Sequence, residues 1–188
     1  MEGMSKFNII YADPPWHFKN HNDATASRWV GGHYGVMKFD DICALPIHSI
    51  SASDCMLFLW TTMPFLEKSF QLIKAWGFMY KTCAFVWVKQ NRKSVGLFTG
   101  MGYWTRSNAE LCLLATKGQP KRINAGVHSV VMSPVELHSK KPDVVRQRIV
   151  ELCGDLPRVE LFARQKAEGW SAWGNEVQSD FNFGAASD

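Results

Sequence analysis

The feature that most constrains this chain is a short apolar run halted by two prolines. Phe7-Asn8-Ile9-Ile10-Tyr11-Ala12 is followed at once by Asp13-Pro14-Pro15. An apolar run of this length predicts a buried strand, and prolines, which lack an N–H group, predict that the strand gives way to a loop. Whatever Asp13, Pro14, Pro15 and Trp16 do is therefore done at the carboxyl end of a strand.

The rest of the chain repeats the alternation. Residues 39–50 read as a short helix and a turn, and Met56 to Trp60 as a second buried strand. Pro64 opens a helix whose Leu66, Phe70, Ile73 and Trp76 or Phe78 fall at the spacing of one buried face, ended by Gly77. Thr82 to Val88 and Glu110 to Ala115 read as strands separated by the glycine-containing loop 96–102. Pro142 starts a helix to about Leu152 that buries Val145, Ile149 and Leu152, gives Arg146 and Arg148 to solvent, and is closed by Gly154. Arg158 to Ala163 is a last strand, leading into the turn-rich 169–176. Residues 17–34 are polar, contain Gly31-Gly32 and predict a long loop of the kind kept for function. Strands alternating with helices predict an α/β sheet covered on both faces, with ligands bound beyond the carboxyl ends of its strands. No repeat or linker divides residues 1–188, which predicts a single domain.

Composition narrows the function classes. With 46% hydrophobic and 20% charged residues the chain can bury a real core. Its most apolar stretch, Cys55 to Trp60, is far too short to span a bilayer, and Met1 to Lys6 lacks a signal-peptide core, so a soluble intracellular protein is expected. Five dispersed cysteines without a C-x-x-C pair read as buried reduced thiols rather than zinc ligands. The H-x-E and P-C-x-x-C segments of a zinc-dependent base deaminase are missing. A net charge of +4 permits a polyanionic partner without demanding one. The basic segments around Arg92 and Lys121 are candidate nucleic-acid contacts, with solvated loop charge as the alternative.

The loop after the first strand has the parts of an adenine pocket. An exocyclic amine on a purine is a poor nucleophile, because its lone pair is delocalised, and must be held by acceptors aimed at its two N–H bonds. The Asp13 carboxylate is one acceptor and the Pro14 carbonyl can be the other, in a segment whose prolines pre-set the backbone. Trp16 offers a stacking plane. A plain turn after a strand would use the same residue types.

Further strings extend this pattern along the chain: His33-Tyr34-Gly35-Val36-Met37 with Asp40-Asp41-Ile42, Leu57-Phe58-Leu59-Trp60, Gly102-Tyr103-Trp104-Thr105-Arg106 with Glu110, His138-Ser139-Lys140-Lys141-Pro142-Asp143, Glu160-Leu161-Phe162-Ala163-Arg164, and Trp173-Gly174-Asn175-Glu176. Together with Asp13-Pro14-Pro15-Trp16 they make the chain resemble the DPPW-type N6-adenine methyltransferases, the family of the eukaryotic mRNA N6-adenosine methyltransferase catalytic subunit, with bacterial and phage members.

The resemblance implies a Rossmann-like fold in permuted, beta-class order, with a mixed, mostly parallel sheet and helices on both faces. It implies S-adenosyl-L-methionine as cofactor, S-adenosyl-L-homocysteine as product, and no metal. Asp13, Pro14, Pro15 and Trp16 would be catalytic. Asp13, Lys141, Glu160, Leu161, Phe162, Arg164, Asn175 and Glu176 would surround the cofactor, and Trp16, Tyr34 and Lys141 the target base. The implied partner is nucleic acid, DNA ahead of RNA by analogy with minimal bacterial and phage members, in the cytoplasm of a bacterium or phage-infected host, away from membranes, with a homodimer as a family expectation. Three alternatives stay open: an RNA N6-adenosine methyltransferase, a non-catalytic partner subunit, and a relative that methylates a protein amide through Asn in place of Asp13.

Overall fold

The computed structural model describes residues 6–16, 37–102, 104–136 and 140–183. The predicted loop 17–34, with Tyr34, lies outside them. A seven-stranded sheet organises the fold, in the order β5-β3-β4-β2-β1-β6-β7. The strands are β1 (Phe7–Ala12), β2 (Ser51–Thr61), β3 (Met79–Gln90), β4 (Glu110–Lys117), β5 (Val130–Pro134), β6 (Arg158–Leu161) and β7 (Ser171–Trp173). The helices are α1 (Phe39–Cys43), α2 (Leu66–Ala75) and α3 (Asp143–Cys153). β1 pairs in parallel with both β2 and β6, β6 with β7, and β3 with β5; β4 alone runs antiparallel to its neighbours β2 and β3. This mixed, mostly parallel sheet with helices on both faces is the Rossmann-like methyltransferase architecture that the resemblance implies.

Alternation along the central strands divides the core into two layers. Ile10, Ala12, Leu57 and Leu59 point to the side covered by α1 and α2, where they meet Ile42, Leu72 and Ile73. Ile9, Tyr11, Phe58 and Trp60 point to the other side, against Val145, Ile149 and Cys153 of α3. A strand buried on both faces needs apolar side chains at every position, which is why β1 and β2 read as continuous runs.

The structure corrects three details. Phe70 is 39% exposed rather than buried. The inward stripe of α2 is Ser69, Leu72, Ile73 and Trp76, because a 3-10 turn at Met63–Phe65 precedes the helix and sets its rotation. Ser69 fits inside because its hydroxyl bonds the Phe65 carbonyl at 2.9 Å and the Thr61 hydroxyl at 2.6 Å. Arg146, expected in solvent, is buried by its pairing with Glu160. β7, too short to show a period and expected as part of the turn-rich stretch 169–176, completes one edge of the sheet, and β5, on which the sequence carries no expectation, completes the other. All five cysteines are free, and burial pushes the Cys55 and Cys153 thiols up to about 12, which keeps them protonated and inert.

Candidate active site

β1 sits between β2 and β6, where successive connections leave in opposite directions, and its carboxyl end opens into the crevice where such sheets bind ligands. Asp13 is the first residue beyond that end. Because β4 is reversed, its first residue, Glu110, comes to the same end of the sheet as the last residues of β1 and β3. Lys141 arrives there immediately before α3, whose entry is fixed by Pro142 in an extended conformation.

These elements assemble an alternating row of charges. Lys141 Nζ lies 2.9 Å from Asp13 Oδ2 and 3.1 Å from Glu110 Oε2, and Glu110 Oε1 accepts from Lys89 Nζ at 2.5 Å. All four side chains are largely removed from solvent, Asp13 being the most open at 22%. Aromatic faces line the lysines: Lys141 lies 5.6 Å above the Trp60 ring and Lys89 5.0 Å above Trp87. Burial would push the Glu110 carboxyl up, but the Lys141 and Lys89 ammoniums overcome it and hold it below the usual carboxylate range. Burial would push Lys141 down, but Asp13 and Glu110 overcome it and raise it. Lys141 is therefore a fixed cation near neutral pH, able to orient and neutralise but not to act as a base.

The segment after Asp13 is held just as firmly. Pro14 is buried, and its carbonyl accepts from the Trp16 N–H at 2.8 Å, a tight turn that fixes the direction of the carbonyl. One of the two carbonyl lone pairs is in use and one remains. Half-buried Pro15 lies within that turn. The Trp16 indole stacks on Phe65 with ring centroids 5.5 Å apart, approaches Phe39 at 6.5 Å, and donates through Nε1 to the Trp60 carbonyl at 3.3 Å. Its packing anchors the loop to β2 and α1.

On the other flank of β1, β6 and β7 leave the sheet side by side. Phe162 turns out of β6 with φ of 60°, and its ring packs edge-on against Trp173 at 5.5 Å. Ala163 N–H bonds the Trp173 carbonyl at 3.0 Å, and any Cβ at Gly174 would fall on the Ala163 backbone, so only glycine lets the two exits run this close. That closeness places Arg164 Nε 3.8 Å from Glu176 Oε1 at a partly open rim, with Asn175 exposed beside it. Leu161 is buried under the rim. Glu160 faces inward, with each carboxylate oxygen 2.7 Å from an Arg146 nitrogen. Arg146 in turn lies 5.6 Å from the Tyr11 ring, whose hydroxyl accepts from Trp60 Nε1 at 2.7 Å. Burial raises Tyr11 far above the ordinary phenol range, so it stays neutral.

Of the residues expected at the site, the structure gathers Asp13, Pro14, Pro15, Trp16 and Lys141 in one cluster and Leu161, Phe162, Arg164, Asn175 and Glu176 in an adjoining one, linked by Glu160. Tyr34 lies outside the described residues. Sequence reading missed Lys89 and Glu110 as members. The available signal was a carboxylate opening the otherwise apolar string Glu110-Leu111-Cys112-Leu113-Leu114. The Lys121 and Arg122 segment belongs elsewhere: eight residues of β4 at ~3.3 Å each carry the chain from Glu110 to the opposite end of the strands before it is reached.

Comparison with known proteins identifies the chain's relatives. The family model described as MT-A70 matches residues 7–176. The chain is 33% identical over 189 residues to the type II methyltransferase M.MunI of a Mycoplasma species, covering 92% of this chain and 78% of that enzyme. It is 30% identical over 181 residues to an N(6)-adenosine-methyltransferase MT-A70-like protein of Drosophila melanogaster, covering 94% of this chain and 28% of that protein. It is 30% identical over 178 residues to the human N(6)-adenosine-methyltransferase catalytic subunit METTL3, covering 93% of this chain and 29% of that protein.

Proposed function

The chain belongs to the MT-A70 family, whose members are S-adenosylmethionine-dependent methyltransferases, and from that premise we propose that it methylates the N6 amine of adenine in DNA. The observation that carries the reading is the placement of a half-buried carboxylate, Asp13, beside a fixed backbone carbonyl at the mouth of the crevice. DNA is taken ahead of RNA because identity is higher to the type II methyltransferase, at 33%, than to the proteins named for adenosine, the ribonucleoside, at 30%.

The residues present suit the cofactor. Its ribose diol needs paired donors and acceptors, which Arg164, Asn175 and Glu176 offer at an open rim, and its cationic sulfonium favours the neighbourhood of a carboxylate such as Asp13. When bound, S-adenosylmethionine supplies a methyl group already activated on sulfur. The protein's share of the work is then alignment. One Asp13 oxygen is held by Lys141, leaving the other to accept an amino hydrogen, and the second lone pair of the Pro14 carbonyl can accept the other hydrogen. Lys141 keeps the carboxylate aimed, and Trp16, anchored on Phe65, keeps the loop from collapsing into the space the base needs. Glu160 holds the cofactor wall through Arg146 rather than by direct contact.

The test is transfer of labelled methyl to matched adenine oligonucleotides, DNA and RNA, single- and double-stranded, with nucleoside analysis of the product. N6-methyladenine in DNA, abolished in Asp13→Ala while cofactor binding stays measurable, is the expected result. Near-normal turnover in Asp13→Ala would sink the assignment of Asp13. Product only in RNA would move the substrate to the other nucleic acid.

A further inference from the structure

Between β3 and β4, residues 91–107 form a loop rooted directly in the charge row, since Lys89 precedes it and Glu110 follows it. Its base is tightly built. Asn108 accepts from the Lys89 N–H at 2.9 Å and donates to the Lys89 carbonyl at 2.8 Å and the Phe98 carbonyl at 2.5 Å. Phe98 N–H bonds Lys89 O at 2.9 Å, Gly100 N–H bonds Ser107 O at 2.8 Å, and Gln90 bridges Leu97.

Its tip is unlike the rest of the surface. Trp104 is 96% exposed and holds a φ of 69°, a left-handed conformation that a bulky side chain rarely adopts. Gly102 makes this turn possible: its φ is 67°, and a Cβ there would fall on the Thr105 carbonyl. Met101 and Leu97 are also exposed. The charged residues of the loop are Arg92, Lys93 and Arg106, with no carboxylate among residues 91–107, and all three are exposed. None of them makes an ion pair among the described residues.

We propose that this loop holds the substrate strand, with the Trp104 indole stacking on a base that neighbours the target and Arg92, Lys93 and Arg106 meeting the phosphates. The proposal rests on the nucleic-acid reading above and adds to it the strand-holding element. An exposed indole on a rigid base is a stacking plane that loses little freedom on use, and cations without carboxylates suit a polyanion. A second copy of the chain fits this tip worse, because a two-fold contact through it would set three cations against the same three.

Fluorescence anisotropy of a labelled single-stranded adenine oligonucleotide with the full chain tests this, alongside methyl transfer, cofactor binding and sedimentation. Trp104→Ala is expected to weaken strand binding about tenfold or more, with Trp104→Phe restoring most of it. The triple variant R92A/K93A/R106A is expected to flatten the slope of log affinity against log salt by about 2, from ~0.7 per phosphate contact. Unchanged cofactor binding in each variant shows that the site is still folded. Wild-type affinity in Trp104→Ala overturns the proposal, as does a change from dimer to monomer in that variant, which would give the loop to a second copy. Trp104-dependent binding with no methyl transfer by the wild type would sink the methylation reading and leave this one standing.

Discussion

At Lys141 an ammonium lies within hydrogen-bond reach of both Asp13 and Glu110. Glu110 pairs with both Lys141 and Lys89, so replacing it tests the row while leaving Asp13 itself in place. Glu110→Gln removes one of the two carboxylates that raise Lys141 against burial. Lys141 should then lose its proton at lower pH, and the alkaline limb of the pH–rate profile should shift toward neutrality, while Glu110→Asp restores part of it. An unmoved limb would show that Glu110 does not set the Lys141 proton. The same row sets a stability window. Glu110 is lowered in the folded state, so its contribution is present above the ordinary carboxylate range and lost as pH falls through the folded value. Lys141 is raised, so its contribution is present below the ordinary lysine range and lost as pH rises through the folded value.

Among the elements, α3 shows how far periodicity carries. The spacing of Val145 and Ile149 and the stop at Gly154 were legible, and the helix lies where they place it. The inward turn of Arg146 was not legible, because its partner Glu160 comes from β6 and only tertiary structure brings the two together. Arg146→Met should cost about 3–5 kcal/mol in urea unfolding, since it leaves a buried carboxylate unpaired. The double variant R146M/E160L should recover most of that loss; a double variant as unstable as the single one would show that the pair does more than balance charge. α2 errs in the same way: Phe70 fits the helical spacing as well as Leu72 does, and the turn ahead of the helix decides which of them faces the sheet.

At the scale of the whole molecule, the single reversed strand determines what meets at the crevice. β4 brings Glu110 to the site and carries Lys117 away from it, so one basic segment lies at the active end of the strands and another at the far end. Cofactor binding at the proposed place, the β6 and β7 exits, should tie the active end together. Saturating S-adenosylmethionine at 100 times its Kd should stabilise the fold by about 2.7 kcal/mol. The shift in melting temperature should shrink in Asn175→Ala and persist in Lys121→Ala. Equal shifts in both variants would place the cofactor elsewhere.

The sequence alone determined the strand that ends at Asp13, the alternation of strands and helices, and the burial of β1 and β2, because each of these follows from local chemistry: proline geometry, side-chain period and the need to bury apolar surface. The short strands β5 and β7, the rotation of α2, the pairing of Arg146 with Glu160 and the row from Asp13 to Lys89 were decided only in three dimensions. A buried charge is tolerated or expelled according to what lies across from it, and the groups that face Asp13 and Glu110 are distant in the chain.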